Sequence, residues 1–337
     1  MINSNFPPKA RFAREARRAD QPKAEKIIFF GTPEFGKIIL EKLIDSGYKP
    51  VLIVTAPDKP AGRKQEPTPS AVKILAAKNK IPIAQPEKLS VSDIVGTGPD
   101  RAGLDLIIVA AYGKVLPSEI LKIPKYGALN IHPSLLPRWR GPTPIQYAIL
   151  NGDNETGVTI MLMDENIDHG PVVSNIKCQI SNIKTTTQEL SRKLAELGAE
   201  LLINTLPKYI SGEIKPQEQV HENAIYTKII SRNDGYIDWS KTAQDIECQI
   251  RAFTPWPGSF TIWKNKRLKI TSGSVLYLSA GKPLLPGQTF LLDDGQLAVQ
   301  TGMGLFIIEK IKLEGKEEIT MKEFLNGYAQ IIGATLG

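Results

Sequence analysis

The chain has 337 residues, 42% hydrophobic and 23% charged, which suits a globular protein of two domains with a sizeable core. No apolar run approaches the roughly 18 residues of a bilayer span, and the first 25 residues lack a signal-peptide core, so a cytoplasmic protein is expected. Cys178 and Cys248 lie far apart without ligand spacing and read as reduced core thiols, with no metal expected.

The net charge of +7 is local. Residues 1–26 hold seven Lys and Arg against three Asp and Glu, and residues 57–80 hold six against two. A basic surplus concentrated in this way is the electrostatic footprint expected for a polyanion partner.

Residues 1–25 are polar and Arg-rich and read as a flexible basic tail. Order is expected from KIIFFG (26–31), a short buried strand, followed by a helix with Phe35, Ile38, Ile39 and Leu43 on one face and Gly47 as its C-cap. VLIVTA (51–56) is a second strand, and a long loop rich in Pro, Gly and Lys spans 57–69. A helix from Ser70, a strand near Ile81–Ala84, DLIIVAA (105–111) and ALNI (128–131) follow. Apolar strands alternating with helices predict a Rossmann-like α/β fold, a mostly parallel sheet covered on both faces. GVTIMLM (157–163) and PVVSNIKCQI (171–180) extend it. Thr186 and Glu189 form a capping box that opens a long helix with a stripe of Leu190, Leu194, Leu197 and Leu201, ending at Pro207. After a linker-like stretch at 208–232, the helix TAQDIECQIRAF and short β segments (SFTIW, RLKITSG, QTFLL, DDGQLAVQTG, LFIIEKIKL) predict a smaller, OB-like barrel domain over 233–337.

The GTPEFG turn lacks the third glycine of a dinucleotide fingerprint, which argues against a nicotinamide or flavin enzyme. Ligands in this architecture still bind beyond the carboxyl ends of the strands. Two loops there carry chemistry. Asn130 and His132 alternate onto one face at a strand end, where an amide and an imidazole can hydrogen-bond a carbonyl oxygen gaining charge. The acidic loop Met163–Gly170 offers Asp168, which can orient an imidazole and take up a proton. Ser134 follows His132 closely, but it sits in a Pro-flanked turn without the G-x-S-x-G elbow of a serine hydrolase.

Asn130 with HPSLLPRWRG (132–141), and Asp168 about 36 residues on, resemble the signature of the 10-formyltetrahydrofolate-dependent formyltransferases. IIFFGTPEFG, PDKPAGRKQEPTPSAVK (57–73), VAAYGKVLP (109–117), GVTIMLMDENIDHG (157–170) and IDWSKTAQDIECQIRAFTPWPGSF (237–260) are similar to the branch of that family that formylates methionyl-tRNA.

The resemblance implies a catalytic domain over 26–207 with Asn130, His132 and Asp168 as catalytic trio. It implies a folate pocket drawn from Ala111, Tyr112, Leu116, Pro117, Ser134, Leu135, Leu136, Pro137, Asp164, Glu165 and Ile167. Lys59, Arg63 and Lys64 of the 57–69 loop would meet the tRNA acceptor end, and Lys264, Lys266, Arg267 and Lys269 would form a second phosphate track. The implied cosubstrate is 10-formyltetrahydrofolate, the implied partner initiator methionyl-tRNA, and a monomer is expected. His169 stands where the family usually has Thr, which leaves open how that loop is held. A sibling formyltransferase acting on a small amine, a formylfolate hydrolase and a non-catalytic RNA-binding protein are the alternatives.

Overall fold

The computed structural model describes residues 24–61, 66–95, 103–180, 184–277 and 284–337. The chain divides into two compact units. The first comprises Met1–Arg138, Gly157–Lys177 and Arg192–Ala224; the second comprises Trp139–Thr156, Cys178–Ser191 and Ile225–Gly337.

A seven-stranded sheet is built from β1 (Ile27–Gly31), β2 (Leu52–Val54), β5 (Ile83–Ala84), β6 (Leu106–Ala110), β7 (Ala128–His132), β8 (Glu155–Leu162) and β9 (Val172–Gln179), in the order β5-β2-β1-β6-β7-β8-β9. β2, β1, β6 and β7 run parallel, and β8 turns antiparallel to β7. Residues on both faces of β1, β2 and β6 are almost wholly buried (Phe29 and Phe30, Ile53 and Val54, Ile107 and Ile108), which is why these strands read as unbroken apolar runs. Each such side chain contributes about 1.5–3 kcal/mol on burial. The strand order reverses at β1, whose neighbours are β2 and β6, so the carboxyl ends of β1, β6 and β7 share one edge of the sheet.

The first helix, α1 (Glu34–Asp45), buries Phe35, Ile39, Leu40 and Leu43; Leu40 takes the inward place expected of Ile38, and Gly47 has the left-handed φ of 81° expected after a helix end. Within the 57–69 loop lies a small antiparallel hairpin of β3 (Lys59–Ala61) and β4 (Glu66–Thr68). Ser70 caps α2 (Ala71–Lys78) by accepting from the Lys73 amide at 3.1 Å. Short helices α3 (Val91–Val95), α4 (Ser118–Leu121) and α5 (Pro144–Leu150) were not evident from periodicity, being shorter than the window in which it can be counted.

The long helix α6 (Thr187–Ile210) starts at the expected Thr186–Glu189 capping box. Its buried stripe is Leu190, Leu194, Leu202 and Leu206, with Gly198 at the middle position, rather than Leu197 and Leu201. Helix continues through Pro207, which the sequence marks as its end, because only one more turn follows and Ser211 still donates to the Pro207 carbonyl at 3.0 Å.

In the second unit, β10 (Ser259–Trp263), β11 (Lys266–Leu276), β12 (Thr289–Leu291), β13 (Leu297–Gln300), β14 (Leu305–Leu313) and β15 (Glu318–Thr320) form a curled antiparallel sheet, a half-barrel. The helix α7 (Ala243–Ala252) opens with a capping box of Thr242 and Asp245. Trp239, Ile246, Trp263, Leu268, Phe306 and Phe324 make up much of the core. Phe324 lies on α8 (Met321–Tyr328), a helix absent from the sequence reading although Thr320 and Glu323 announce it with a capping box.

Candidate active site

β7 is the strand on which the site is built. It pairs with β6 through Val109 opposite Asn130, and with β8 through Met161 opposite Asn130 and Thr159 opposite His132. Asn130 and His132 leave it on the same side, two residues apart. The His132 side chain is 5% exposed and the Asp168 side chain 13%, so charge on either is poorly screened by water.

Asp168 arrives from the loop between β8 and β9. Its Oδ1 accepts from the Asn130 Nδ2 at 3.3 Å and lies 3.5 Å from the His132 Nδ1. One carboxylate oxygen thus faces both the amide and the imidazole, and the three residues expected from sequence to act together do stand together. A carboxylate in that place can fix the orientation of an imidazole ring.

The loop bearing Asp168 is tightly held. Leu162 donates its amide to the Pro171 carbonyl at 2.9 Å, closing the neck. A Cβ on Gly170 would stand 1.9 Å from the Leu162 carbonyl oxygen, so only glycine fits there. Asp168 itself adopts a left-handed φ of 48°, a conformation that costs a non-glycine residue roughly 1–2 kcal/mol, less for Asp than for most. The neighbouring segment compensates. Gln219, 6% exposed, donates from Nε2 to the Asp168 carbonyl at 3.0 Å and to the Gly170 carbonyl at 2.7 Å. Inside the loop, Asp164 accepts the Asn166 amide on Oδ1 at 2.9 Å and lies 2.6 Å from the His169 Nδ1 through Oδ2. The His169 ring stacks on His221 at 4.0 Å.

The residues expected around the folate fall into two groups. Ala111, with φ of 52°, and Ile167, 59% exposed, are open; Leu135 is half-buried, as is Pro137, which follows a cis peptide bond. Asp164 is one-third exposed, and Glu165 pairs with Lys122 at 3.7 Å. Pro117 is half-buried just before α4. Leu116 and Tyr112 instead belong to the core cluster of β1, β2 and β6; the Tyr112 ring packs edge-on to Phe30 at 5.1 Å. Burial pushes the Tyr112 phenol above its ordinary pKa, so it stays neutral. Leu136 is buried, and its amide donates to the Thr159 hydroxyl at 3.1 Å. Ser134 is wholly buried and donates its hydroxyl to the Arg138 carbonyl at 2.6 Å, a bond that holds the turn and engages the oxygen a serine nucleophile would need.

Of the basic residues, Lys59 is exposed on the β3–β4 hairpin, while Arg63 and Lys64 lie outside the described residues. Lys264 and Asn265, with φ of 48° and 58°, make the two-residue turn between β10 and β11. Lys266 and Arg267 project from the next positions, and the Arg267 guanidinium covers the Phe260 ring at 4.0 Å. Lys269 reaches back to the Pro257 carbonyl at 3.4 Å. Sequence reasoning missed Gln219 and the His169–His221 stack, because neither residue belongs to a periodic or spaced pattern.

Polar groups gathered at the carboxyl edge of this sheet, with a half-barrel unit following, go with a known class of protein. Residues 25–206 match the formyl transferase family and residues 229–329 the formyl transferase C-terminal domain, and the chain belongs to that family. It is 40% identical over 316 residues to a methionyl-tRNA formyltransferase of Citrifermentans bemidjiense, covering 93% of this chain and 96% of that protein. With the methionyl-tRNA formyltransferase of Enterococcus faecalis it shares 42% identity over 306 residues, 90% of this chain and 96% of the relative. Among solved structures, a Helicobacter canadensis N-formyltransferase in complex with folinic acid and dTDP-3-aminofucose shares the fold. The TM-score is 0.63 at 19% identity, over 85% of this chain and 99% of that one.

Proposed function

We propose that this protein transfers the formyl group of 10-formyltetrahydrofolate to the α-amino group of methionine carried by initiator tRNA, for translation initiation. The observation that carries the reading is the single Asp168 oxygen facing both Asn130 and His132, in a chain about 40% identical along nearly its whole length to methionyl-tRNA formyltransferases.

The donor's formyl group is an amide-like carbonyl on nitrogen. The acceptor amine has an ordinary pKa near ~7.7–8.0, so a sizeable neutral fraction exists at pH 7 without a strong base. The amine lone pair forms the new C–N bond, and the carbonyl oxygen takes up negative charge. His132 and Asn130 donate hydrogen bonds to that oxygen, each such donor lowering the barrier by roughly 3 kcal/mol. The bond from carbon to the folate nitrogen then breaks. The proton lost by the amine passes to that nitrogen, with Asp168 assisting directly or through water and orienting the imidazole. No covalent enzyme intermediate is needed, in keeping with the engaged Ser134 hydroxyl.

In this reading residues 26–207 form the catalytic domain, 208–232 the linker and 233–337 the tRNA-binding domain. The open residues Ala111 and Ile167, with the part-buried Leu135 and Asp164, line the folate pocket. Lys59, Arg63 and Lys64 meet the acceptor end, while Lys264, Lys266, Arg267 and Lys269 track phosphates. The protein works in the cytoplasm as a monomer.

The test offers purified protein 10-formyltetrahydrofolate with charged initiator tRNA, charged elongator tRNA or a small amine, and follows formyl incorporation. Formylation of the initiator tRNA at least tenfold faster than of either alternative is expected. Preference for the small amine, or release of formate alone, would contradict the reading.

A further inference from the structure

One side-chain pair braces the loop that delivers Asp168 from within. Asp164, at its start, divides its carboxylate between two loop partners: Oδ1 accepts the Asn166 amide at 2.9 Å, and Oδ2 meets the His169 Nδ1 at 2.6 Å. His169 immediately follows Asp168, so this contact fixes the peptide on one side of the catalytic carboxylate. The opposite face of His169 lies flat on His221, 4.0 Å away and 5° from parallel. The same segment supplies Gln219, whose amide ties down the carbonyls of Asp168 and Gly170. Gln217 anchors it by paired backbone bonds with Val172, at 2.7 and 2.8 Å, just beyond the loop. The carboxylate of Asp168 therefore leaves a backbone whose left-handed conformation is held by contacts from both sides.

We infer that His169 is a positioning residue for the reaction: its hydrogen bond to Asp164, seated on His221, keeps Asp168 within reach of His132 and Asn130. The inference rests on the reading of Asp168 as a member of the catalytic trio. The working part is the hydrogen bond, with the ring stack as its seat. A carboxylate that drifts even slightly loses its orienting effect on the imidazole, because catalytic groups must be held within about 0.5 Å of the productive geometry. The side-chain hydrogen bonds joining Asp164 to Asn166 and His169 run within the loop, so their effect on His132 and Asn130 passes through the placement of Asp168.

Two variants separate the parts. His169→Phe keeps a ring to stack on His221 and removes the bond to Asp164. His169→Asn keeps an amide N–H close to the position of Nδ1 and removes the ring. The chain has only three histidines, so the imidazole nitrogen resonances of His132 can be assigned in the free protein with no substrate present. That readout does not depend on which amine the enzyme formylates. In His169→Phe the His132 resonances are expected to move toward the positions they take in Asp168→Asn, while in His169→Asn they stay near wild type. In turnover, His169→Phe is expected to lower kcat at least fivefold with KM for both substrates within twofold, and His169→Asn to recover most of the loss. In an Asp168→Asn background His169→Phe should add less than a twofold further loss, because its route of action is already gone. Unmoved His132 resonances in a folded His169→Phe protein, or a full additional loss in the Asp168→Asn background, would overturn the inference.

Discussion

Asn130 and His132 reach the same oxygen of Asp168, the amide nitrogen at 3.3 Å and the imidazole nitrogen at 3.5 Å, although Asp168 comes from a different loop. The shared oxygen makes the two donors one unit at the end of β7. Replacing Asn130 with Ala should remove one oxyanion donor and lower kcat by about 10²–10³-fold, with KM little changed. Steady-state kinetics of formyl transfer check this, and a rise in KM alone would assign Asn130 to substrate binding instead.

Gly170 closes the neck of the Asp168 loop. An added Cβ meets the Leu162 carbonyl at 1.9 Å, a backbone atom that cannot swing aside. Gly170→Ala should therefore destabilise the protein by about 1–3 kcal/mol and lower activity further than stability alone explains, because the loop must shift to make room. Denaturant melts beside activity measurements on the folded fraction separate the two effects.

Four carboxylates of the second unit are held below their ordinary pKa, each chiefly by a neighbouring hydroxyl or amide: Glu189 by Thr186, Asp234 by Ser231, Asp238 by Ser240 and Glu323 by Thr320. Their ordinary values are 3.8 for Asp and 4.5 for Glu. A depressed carboxylate contributes stability that is present above its unfolded pKa and disappears as pH falls through the folded one. Stability should thus hold above pH 5 and fall on acidification below about pH 4.5, and Thr320→Ala should flatten part of that fall. Denaturation midpoints between pH 3 and 6 measure it.

At the alkaline end the sign reverses. Burial pushes the Cys248 thiol up, and Cys178 is also buried. A thiol whose folded pKa is raised contributes stability below its unfolded pKa that is lost as pH rises through the folded one. Neither cysteine should react with a thiol reagent at pH 8 in the native protein, and both should react once it is unfolded. Rapid native labelling of either residue would show a thiol far more accessible than its burial allows.

Lys264 and Lys266 stand at the β10–β11 turn, Lys264 with its ammonium 5.0 Å over the Trp263 ring, whereas Arg267 covers Phe260. Replacing the two lysines with Ala should weaken tRNA binding and make it less steeply dependent on salt. The log–log slope should shrink by about 0.7–0.9 for each phosphate that no longer meets a cation. Melting temperature should fall only slightly, since an exposed cation–π pair is worth about 0.5–1 kcal/mol. An unchanged slope would remove this turn from the interface.

Much of this was legible in the sequence because β1, β2 and β6 are short, wholly apolar runs, and because Asn130 and His132 sit two apart at the end of β7. The long helix was readable from its cap, but its buried stripe was not: Gly198 presses close enough to Ile131 and Val158 that the helix turns Leu202 and Leu206 inward instead of Leu197 and Leu201. The hairpin hidden in the 57–69 loop escaped notice because three-residue strands leave no countable alternation. Gln219 was invisible for a different reason. Its part is to satisfy two backbone carbonyls 49 and 51 residues away, and nothing in local composition encodes such a pairing.

The most direct measurement is single-turnover formyl transfer to charged initiator tRNA by the wild type, His132→Ala and Asp168→Asn, with folding checked for each. The two variants should keep the wild-type melting profile and transfer about 10²–10⁴-fold more slowly. Near-wild-type rates in both would show that the polar cluster at the end of β7 does not carry the reaction.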